Sequence, residues 1–296
     1  YTMKHAIIFC FSLLTIGSAF GQKNDEKISK LSDKIEQKVI EWRRHVHQNP
    51  ELSNREFETA KYIETHLRNL GISVQTGVAK TGVVGILKGK KPGKVVALRA
   101  DIDALPVTER NDLPFKSNVR STYNGKETGV MHACGHDSHV AILMGVAEVL
   151  SQMKNDIHGT IKFIFQPAEE QAAGGRYIVE EGILDDVDAV FGLHCWPTFP
   201  IGQVGVKSGP AMASADFFHI SIEGVGCHGA DPAAGVDPIY VASQIVTALQ
   251  SIVSRETNPW DPAVLTVARI QAGFASNVIP ETAMMEGTFR ALTPEV

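Results

Sequence analysis

The sequence has no basic run and no interleaving of aromatic with basic residues, and its net charge is −5. Both are features of nucleic-acid-binding chains, so we expect a small-molecule or peptide substrate and no nucleic-acid partner. Internal repeats and low-complexity segments are also missing, which excludes a repeat architecture. A chain of 296 residues with this ordinary composition is long enough for two domains.

No apolar run is long enough to span a bilayer comfortably. The apolar stretch Ala6–Ile16 follows the short basic start Met3-Lys4-His5, and small residues follow it up to Gly21. This order is typical of a secretory signal peptide, here residues 1–21, with an uncleaved membrane anchor as the alternative. No cysteine lies immediately after the cleavage point, which argues against a lipoprotein. We therefore expect export to the periplasm or the exterior, without a stable membrane anchor.

Cysteine is scarce, with four in the chain, and only Cys134, Cys195 and Cys227 lie after the predicted cleavage point. An odd number without paired spacing does not indicate a disulfide framework. We expect Cys195 and Cys227 to be structural. A Cys134–Cys195 disulfide in an oxidising compartment stays open at this stage.

Periodicity in the first two thirds of the chain indicates alternating helices and strands. Apolar residues recur at helical spacing in three segments: 28–48, about 54–69, and 139–153. Short apolar runs that suit strands buried on both faces are 83–87, 95–98, 161–165 and 189–193. This alternation predicts an α/β sheet with helices on both faces.

The pattern changes near Lys207. A half-exposed strand is predicted over 217–223, a helix over 238–255, and strands over 264–270 and 283–291. Such a unit forms a small α+β domain with one sheet face free. The pattern therefore predicts a larger domain over residues 22–207 and a smaller second domain over 208–293.

Four polar clusters follow predicted strands, where open α/β sheets place their sites. They are Arg99–Asp103, His132–Asp137, Pro167–Glu170 and His194–Pro197. Each alone has an ordinary reading, because acidic residues at strand ends are often solvated and a His–Cys pair often only packs. Four such clusters at one sheet edge favour a functional site.

The clusters together offer thiolate, imidazole and carboxylate ligands for a metal. Gly135 lets the backbone turn so that Cys134 and His136 can face one ion, and we expect the nearby helix N-terminus to lower the pKa of Cys134. Adjacent Glu169 and Glu170 point in different directions, so one can bind metal while the other exchanges protons with the substrate water. Asp101 and Asp103 are expected to orient a ligand imidazole from behind.

Seven segments in order resemble one family. They are HQNPELS, RADIDALP, MHACGHDSHVA, FQPAEE, FGLHCWP, GCHGADP and SNVIPETAMMEGTFRA. This set, covering roughly residues 41–291, resembles the aminoacylase/hippurate hydrolase-like branch of the M20 dinuclear metallopeptidases. That branch includes hydrolases of indoleacetyl-amino acid conjugates and N-acetyldiaminopimelate deacetylases.

The resemblance implies a zinc-peptidase-like catalytic domain with a mixed sheet, an inserted lid domain and a homodimer formed through that lid. It implies four metal ligands, namely Cys134, His136, Glu170 and His194, with Glu169 as general base and acid. In the lid it implies that His228 is catalytic and reaches the partner subunit's active site, where it stabilises the oxyanion or holds the substrate carboxylate. It also implies that Asn277 and Arg290 bind that carboxylate. For Arg290, a surface strand charge is the alternative, and for His228 a satisfied loop histidine.

The resemblance stops short of a complete family member. Family members return from the lid to the catalytic domain and supply a final histidine ligand there, whereas this sequence ends at Val296, and no histidine follows His228. The sequence therefore predicts a C-terminally truncated chain that binds its second metal poorly.

The predicted function is hydrolysis of N-acyl amino acids, or related small amides with a carboxylate, by water activated between two divalent ions. The alternatives are a metallo-dipeptidase or carboxypeptidase acting on short peptides, and, for the truncated chain, an inactive binding homologue. Cysteine and histidine ligands suit zinc, the resemblance indicates manganese or zinc, and nickel or cobalt also suit mixed sites.

Overall fold

The computed structural model describes the backbone of residues 2–170 and 174–296, and the side chains of 24–170 and 174–296. The predicted signal peptide lies outside the residues whose side chains are described and stays a prediction. No helix within the described part combines the length and apolar character needed to cross a membrane. Contacts divide the chain into two compact units, Tyr1–Thr198 and Phe199–Val296, whereas the predicted domain boundary follows residue 207.

Unit 1 contains the long helices and the larger sheet. Its helices are α1 Thr2–Gln48, α2 Phe57–Asn69, α3 His136–Gln152 and α4 Gly174–Glu180. Its strands are β1 Ser73–Val78, β2 Gly82–Lys88, β3 Lys91–Asp101, β4 Arg120–Tyr123, β5 Lys126–Gly129, β6 His158–Gln166 and β7 Ala189–Gly192. The predicted helices and strands are all present, while β1, the hairpin β4–β5 and α4 were not predicted.

The five-stranded sheet of unit 1 has the order β1-β2-β6-β3-β7. Strands β1, β2 and β6 pair antiparallel, whereas β3 pairs parallel with both β6 and β7, so the sheet is mixed, as predicted. In this register Asp101 lies beside Gln166, and Arg99 beside Gly192. The loops that leave β3, β6 and β7 therefore start from one edge of the sheet.

Neighbouring residues of the central strands pack into different cores, because successive side chains of a strand point to opposite faces. Phe163 and Phe165 join the larger core with Ile63 and Leu67 of α2 and with α3. Ile164 joins a second core with Ile178 of α4. Helices therefore cover both faces of the sheet, as the apolar runs predict.

Strand β7 departs from its prediction. It was expected to be buried on both faces, yet Val190 and Phe191 are 50% and 60% exposed. The physical reason is its position, since β7 is last in the strand order and pairs only with β3 among the described residues.

Unit 2 contains a three-stranded antiparallel sheet, a separate pair of short strands and one α-helix. Its elements are β8 Asp216–Glu223, β9 Cys227–His228, α5 Pro238–Ser251, β10 Ala263–Ala272, β11 Val278–Ile279 and β12 Thr282–Ala291. A π-helical turn, Ile252–Glu256, continues α5. Helix α5 starts where its sequence predicts, because the Asp237 side chain accepts hydrogen bonds from the N–H groups of Ile239 and Tyr240, and Pro238 suits the first helical position.

The sheet of unit 2 has the order β10-β12-β8 and buries one face against α5. The core contains Ala242, Ala283 and Met285. On the opposite face, His219, Glu286 and Arg269 form a cross-strand row with ion pairs of 3.6 and 2.9 Å. This charged face is exposed, so the predicted α+β domain with one free face is confirmed.

Candidate metal centre

The loop after β6, the loop after β7 and the start of α3 place the four predicted ligands together in unit 1. The ligand atoms of Cys134, His136 and Glu170 lie within 4.8 Å of one another. The Sγ atom of Cys134 lies 3.5 Å from Nε2 of His194. A second group with the same spacing contains His136 and His194 with Asp101 and His139.

His136 is held with one ring nitrogen free. Its Nδ1 donates to the backbone carbonyl of Asp103 at 2.8 Å, and its Nε2 lies 3.5 Å from Asp101 Oδ2 and 3.9 Å from Glu170 Oε1. Burial opposes the protonated ring, but the hydrogen bond to Asp103 and the nearby aspartate charges raise the pKa of His136 to about 9. The surroundings of this nitrogen therefore favour a positive charge.

The donor atoms fit a divalent ion. His136 Nε2 and Glu170 Oε1 are both buried and have no hydrogen-bond partner among the described residues. Buried polar atoms are normally paired, and each unpaired one costs free energy. An ion between imidazole, thiolate and carboxylate would satisfy both atoms at once, and this donor set is one that zinc and similar metals bind.

Cys134 does not have the low pKa that the sequence analysis expects. Burial and the negative charges of Glu170, Glu169 and Asp101 raise the pKa of this thiol to about 12. The expectation is wrong because burial and these carboxylates outweigh the N-terminus of α3, which begins at His136 with Gly135 as its N-cap. A bound dication deprotonates a coordinating thiol outright. Cys134, Cys195 and Cys227 are all free thiols.

The turn that carries Glu169 and Glu170 is held by its backbone. The N–H groups of Glu169 and Glu170 each donate to one oxygen of the Asp103 carboxylate at 3.1 Å. The Ser53 hydroxyl donates to the same carboxylate at 2.6 Å. Glu169 Oε2 lies 3.8 Å from His136 Nε2, which places this carboxylate beside the ligand cluster.

His139, which the sequence analysis missed, links this cluster to the chain after β7. Its Nε2 accepts from the backbone N–H of Cys195 at 2.8 Å, so its Nδ1 carries the proton and donates to Asp101. His139 lies close to His136 and His194. Because both of its ring nitrogens already have hydrogen-bond partners, we assign it to positioning and not to metal ligation. Its place three residues after His136, on the same face of α3, was the available signal.

Behind the ligands lies a buried ionic network. Asp137 Oδ2 accepts from His47 Nδ1 at 2.9 Å and pairs with Arg43 at 2.6 Å, and His47 Nε2 lies 3.0 Å from Glu109. The hydrogen bond to Asp137 raises the pKa of His47. His132 is also buried, and burial lowers its pKa to about 4.

Unit 2 brings together two of its three predicted site residues. His228 pairs with Val278 across β9 and β11, and the Gly229 N–H donates to the Asn277 carbonyl at 2.8 Å. His228 Nδ1 accepts from the N–H of Ala230 at 3.1 Å. His228 lines an open groove of about 910 Å³ together with residues such as Phe274.

Arg290 lies elsewhere in unit 2. It is exposed and opposite Val264 near the end of β12, whereas Met284 of the same strand lines the groove. Six residues of extended strand separate them by about 20 Å. Within unit 2, Arg290 is therefore not next to His228 or Asn277.

The chain is similar to known proteins of one family. The profile of the family described as peptidase family M20/M25/M40 matches residues 97–289. The N-acetyl-L-cysteine deacetylase of Bacillus subtilis is 48% identical over 88% of this chain and 61% of its own length. Thermostable carboxypeptidase 2 of Saccharolobus solfataricus is 45% identical over 92% of this chain and 68% of its own length.

A solved structure shares the fold. The YXEP protein of Bacillus subtilis, described as a dinuclear metal-binding peptidase of the M20 family, superposes with a TM-score of 0.74. It is 44% identical, and the match covers 89% of this chain and 66% of that protein. The chain thus spans about two thirds or less of the length of the deacetylase and of the YXEP protein.

Proposed function

Because this chain belongs to peptidase family M20/M25/M40, we propose that its protein is a metal-dependent amidohydrolase that cleaves the amide bond of N-acyl amino acids. The deacetylase relative supports this choice, since its name describes removal of an acyl group from an amino acid.

The observation that carries the proposal is the convergence of ligand atoms beside a free carboxylate. Cys134, His136 and Glu170 present their donor atoms within 4.8 Å of one another, and His194 lies against Cys134. Glu169 stands beside them without being needed as a ligand, and its side chain is 39% exposed. A ligand cluster with an adjacent accessible base is the arrangement that hydrolysis requires.

The proposed ligands are Cys134, His136, Glu170 and His194, and we propose two divalent ions by analogy with the dinuclear Bacillus protein. Manganese or zinc is the choice that the family resemblance implies. When bound, such ions acidify water and polarise an amide carbonyl. Nickel or cobalt also suit these donors.

Glu169 is the proposed proton carrier. Its carboxylate takes one proton from the attacking water, whose oxygen bonds to the amide carbon, and delivers that proton to the leaving nitrogen as the C–N bond breaks. The products are a carboxylic acid and a free amino acid. Asp103 keeps Glu169 in place through the backbone, and Asp101 and His139 hold the segment that carries His194.

For the substrate carboxylate we propose His228 and Asn277, which unit 2 brings together, and Arg290, whose guanidinium suits a carboxylate. The resemblance stated above supports these assignments. The position of Arg290 near the far end of β12 makes it the residue of the three whose role most needs measurement.

The alternative is a carboxypeptidase acting on short peptides, and the Saccharolobus relative favours it. We would compare amino-acid release from N-acetyl amino acids with release from dipeptides and N-blocked dipeptides, with added Mn²⁺ or Zn²⁺. The chain should be assayed both as 296 residues and with any residues that its gene encodes after Val296. Release from N-acetyl amino acids at a kcat/KM at least 10-fold above that from peptides is expected, and the reverse order would overturn the assignment.

We also propose a homodimer through unit 2 and export after cleavage of residues 1–21. The strands β8 and β10 support the first, because each has an edge without a partner strand among the described residues. Light scattering of the purified protein and mass spectrometry of its N-terminus measure the two proposals, and a monomer or an intact leader would contradict them.

A further inference from the structure

Glu56 is a buried carboxylate that the proposed chemistry does not use. Its side chain is 0% exposed, and no cationic side chain pairs with it in the described part of the chain. It lies at the start of α2, far along the sequence from every proposed ligand. A buried carboxylate without a cation is costly, so its contacts should explain its presence.

The two oxygens of Glu56 have partners on different segments, and the backbone N–H groups of Glu56 and Asn54 also donate to this carboxylate. Oε2 accepts from the Thr81 hydroxyl at 2.6 Å, and Oε1 accepts from the backbone N–H of Ala168 at 2.9 Å. Thr81 fixes the carboxylate from the turn between β1 and β2. Ala168 is the residue immediately before Glu169, so Glu56 reaches the turn that carries the base.

That turn is strained at the position where Glu56 holds it. Ala168 has φ +52°, a left-handed conformation that costs an alanine free energy, and it is 1% exposed. Its N–H is the first of three successive ones directed at carboxylates: Glu56 takes that of Ala168, and Asp103 takes those of Glu169 and Glu170. Asp103 also contacts His136, whereas Glu56 has no contact with any ligand.

We infer that Glu56 is a positioning residue, which holds the strained turn through the Ala168 N–H and thereby sets where Glu169 and Glu170 lie. This inference rests on the proposed function for the role of Glu169, but the placement of Glu170 stands on the ligand cluster alone. What matters is the length of the side chain and an acceptor oxygen at its end, not the negative charge.

Two conservative variants separate the effect of side-chain length from the effect of negative charge. Glu56→Gln keeps the length: its amide oxygen accepts from Ala168, and its NH₂ group donates to the Thr81 hydroxyl. Glu56→Asp keeps the charge but is one methylene too short to reach both partners. Glu56→Ala removes both contacts. A control, Ile63→Val, removes one methyl group from the same helix at a fully buried position in the larger core.

The first readout is kinetic. We expect Glu56→Gln to retain most of the turnover, and Glu56→Asp and Glu56→Ala to lower kcat by about 100-fold, because a displacement of about 1 Å costs that much. KM should change by less than about 3-fold, and Ile63→Val should lower the melting temperature without lowering kcat. Equal turnover in the Asp and Gln variants, or a loss in Ile63→Val matching that in Glu56→Asp, would overturn the inference.

The second readout does not need activity. Zn²⁺ is titrated into each variant against a competing chelator, and we expect Glu56→Asp to bind about 10- to 100-fold more weakly than Glu56→Gln, because Glu170 moves with the turn. If the parent chain binds Zn²⁺ but hydrolyses no substrate, the proposed function fails, and this affinity order alone decides the inference. If Glu56→Ala does not fold, the Gln and Asp variants decide it, and equal affinity in the two contradicts it.

Discussion

Buried carboxylates hold the groups around the proposed metal centre. Asp103 accepts hydrogen bonds from the backbone N–H groups of Glu169 and Glu170. Asp101 accepts one from His139, and Asp137 accepts one from His47. All three aspartates have a pKa below its usual range: burial opposes the ionised form, but hydrogen bonds from histidine outweigh it. Ionised aspartates can serve as strong acceptors, which keeps the ligand-bearing segments in fixed positions.

His47 gives the network a dependence on pH. Its folded-state pKa is raised above 6.5, so its contribution to stability is fully present below pH 6.5 and is lost as pH rises through the raised folded value. With a chelator present, we expect the free energy of unfolding to fall more steeply above pH 6.5 in the parent chain than in His47→Gln. Urea unfolding at a series of pH values measures this difference.

The control for that experiment is His45→Gln, at an exposed histidine of the same helix that stacks on Tyr62. It should keep the steep pH dependence of the parent chain. A pH dependence in His47→Gln as steep as that of the parent would contradict the assignment of the effect to His47.

At the residue scale, the sequence predicted the residues that carry ligand or base chemistry. It did not predict residues whose role depends on hydrogen bonds to residues distant in sequence. Glu169, Glu170 and His194 follow strands of the larger sheet, whereas Cys134 and His136 lie at the start of α3, and all five carry ligand or base chemistry. Glu56 and His139 both bind segments that carry site residues, but Glu56 contacts Ala168 across 112 residues of sequence, and such a contact leaves no local pattern. Predicting the pKa of Cys134 also required knowledge of how far its side chain is buried.

At the scale of elements, the start of helix α3 determines the ligand geometry. Gly135 has φ +88° at the N-cap, between Cys134 and His136, and a Cβ there would lie 3.2 Å from Cβ of Cys195. This left-handed residue turns the chain so that both ligands face the same space. Gly71, after α2, has φ +71° with no neighbour within 4 Å of an added Cβ.

These two glycines form a matched pair for mutation. Gly135→Ala and Gly71→Ala should each lower the free energy of unfolding by about 1–2 kcal/mol, the cost of a left-handed alanine. Only Gly135→Ala should also weaken Zn²⁺ binding, because it displaces two ligands. Urea unfolding and Zn²⁺ titration measure both effects, and unchanged Zn²⁺ affinity in Gly135→Ala would contradict this account of the N-cap.

The elements themselves were largely predictable, because each buried strand is an apolar run and each helix has a periodic apolar face. The exceptions have physical causes. Strand β1 has the exposed pattern of an edge strand, the hairpin β4–β5 is short, and α4 has only seven residues. Strand β7 has the composition of a buried strand but an edge position, which composition does not reveal.

At the scale of the whole molecule, the chain has two compact units, each with its own core. The five proposed metal and base residues all lie in unit 1, and the proposed carboxylate-binding residues all lie in unit 2. On these proposed assignments we expect activity to require both units and metal binding to require unit 1.

The replacement of Glu169 tests the central claim most directly. We would measure amino-acid release from an N-acetyl amino acid, and bound metal per chain, for the parent, Glu169→Gln and the control Glu180→Gln, an exposed glutamate of α4. Proton transfer by a positioned group contributes about 10²- to 10⁴-fold, so Glu169→Gln should lose at least about 100-fold in kcat with its metal content unchanged. Near-parental turnover in Glu169→Gln would contradict the account, and so would a loss of activity that merely follows a loss of metal.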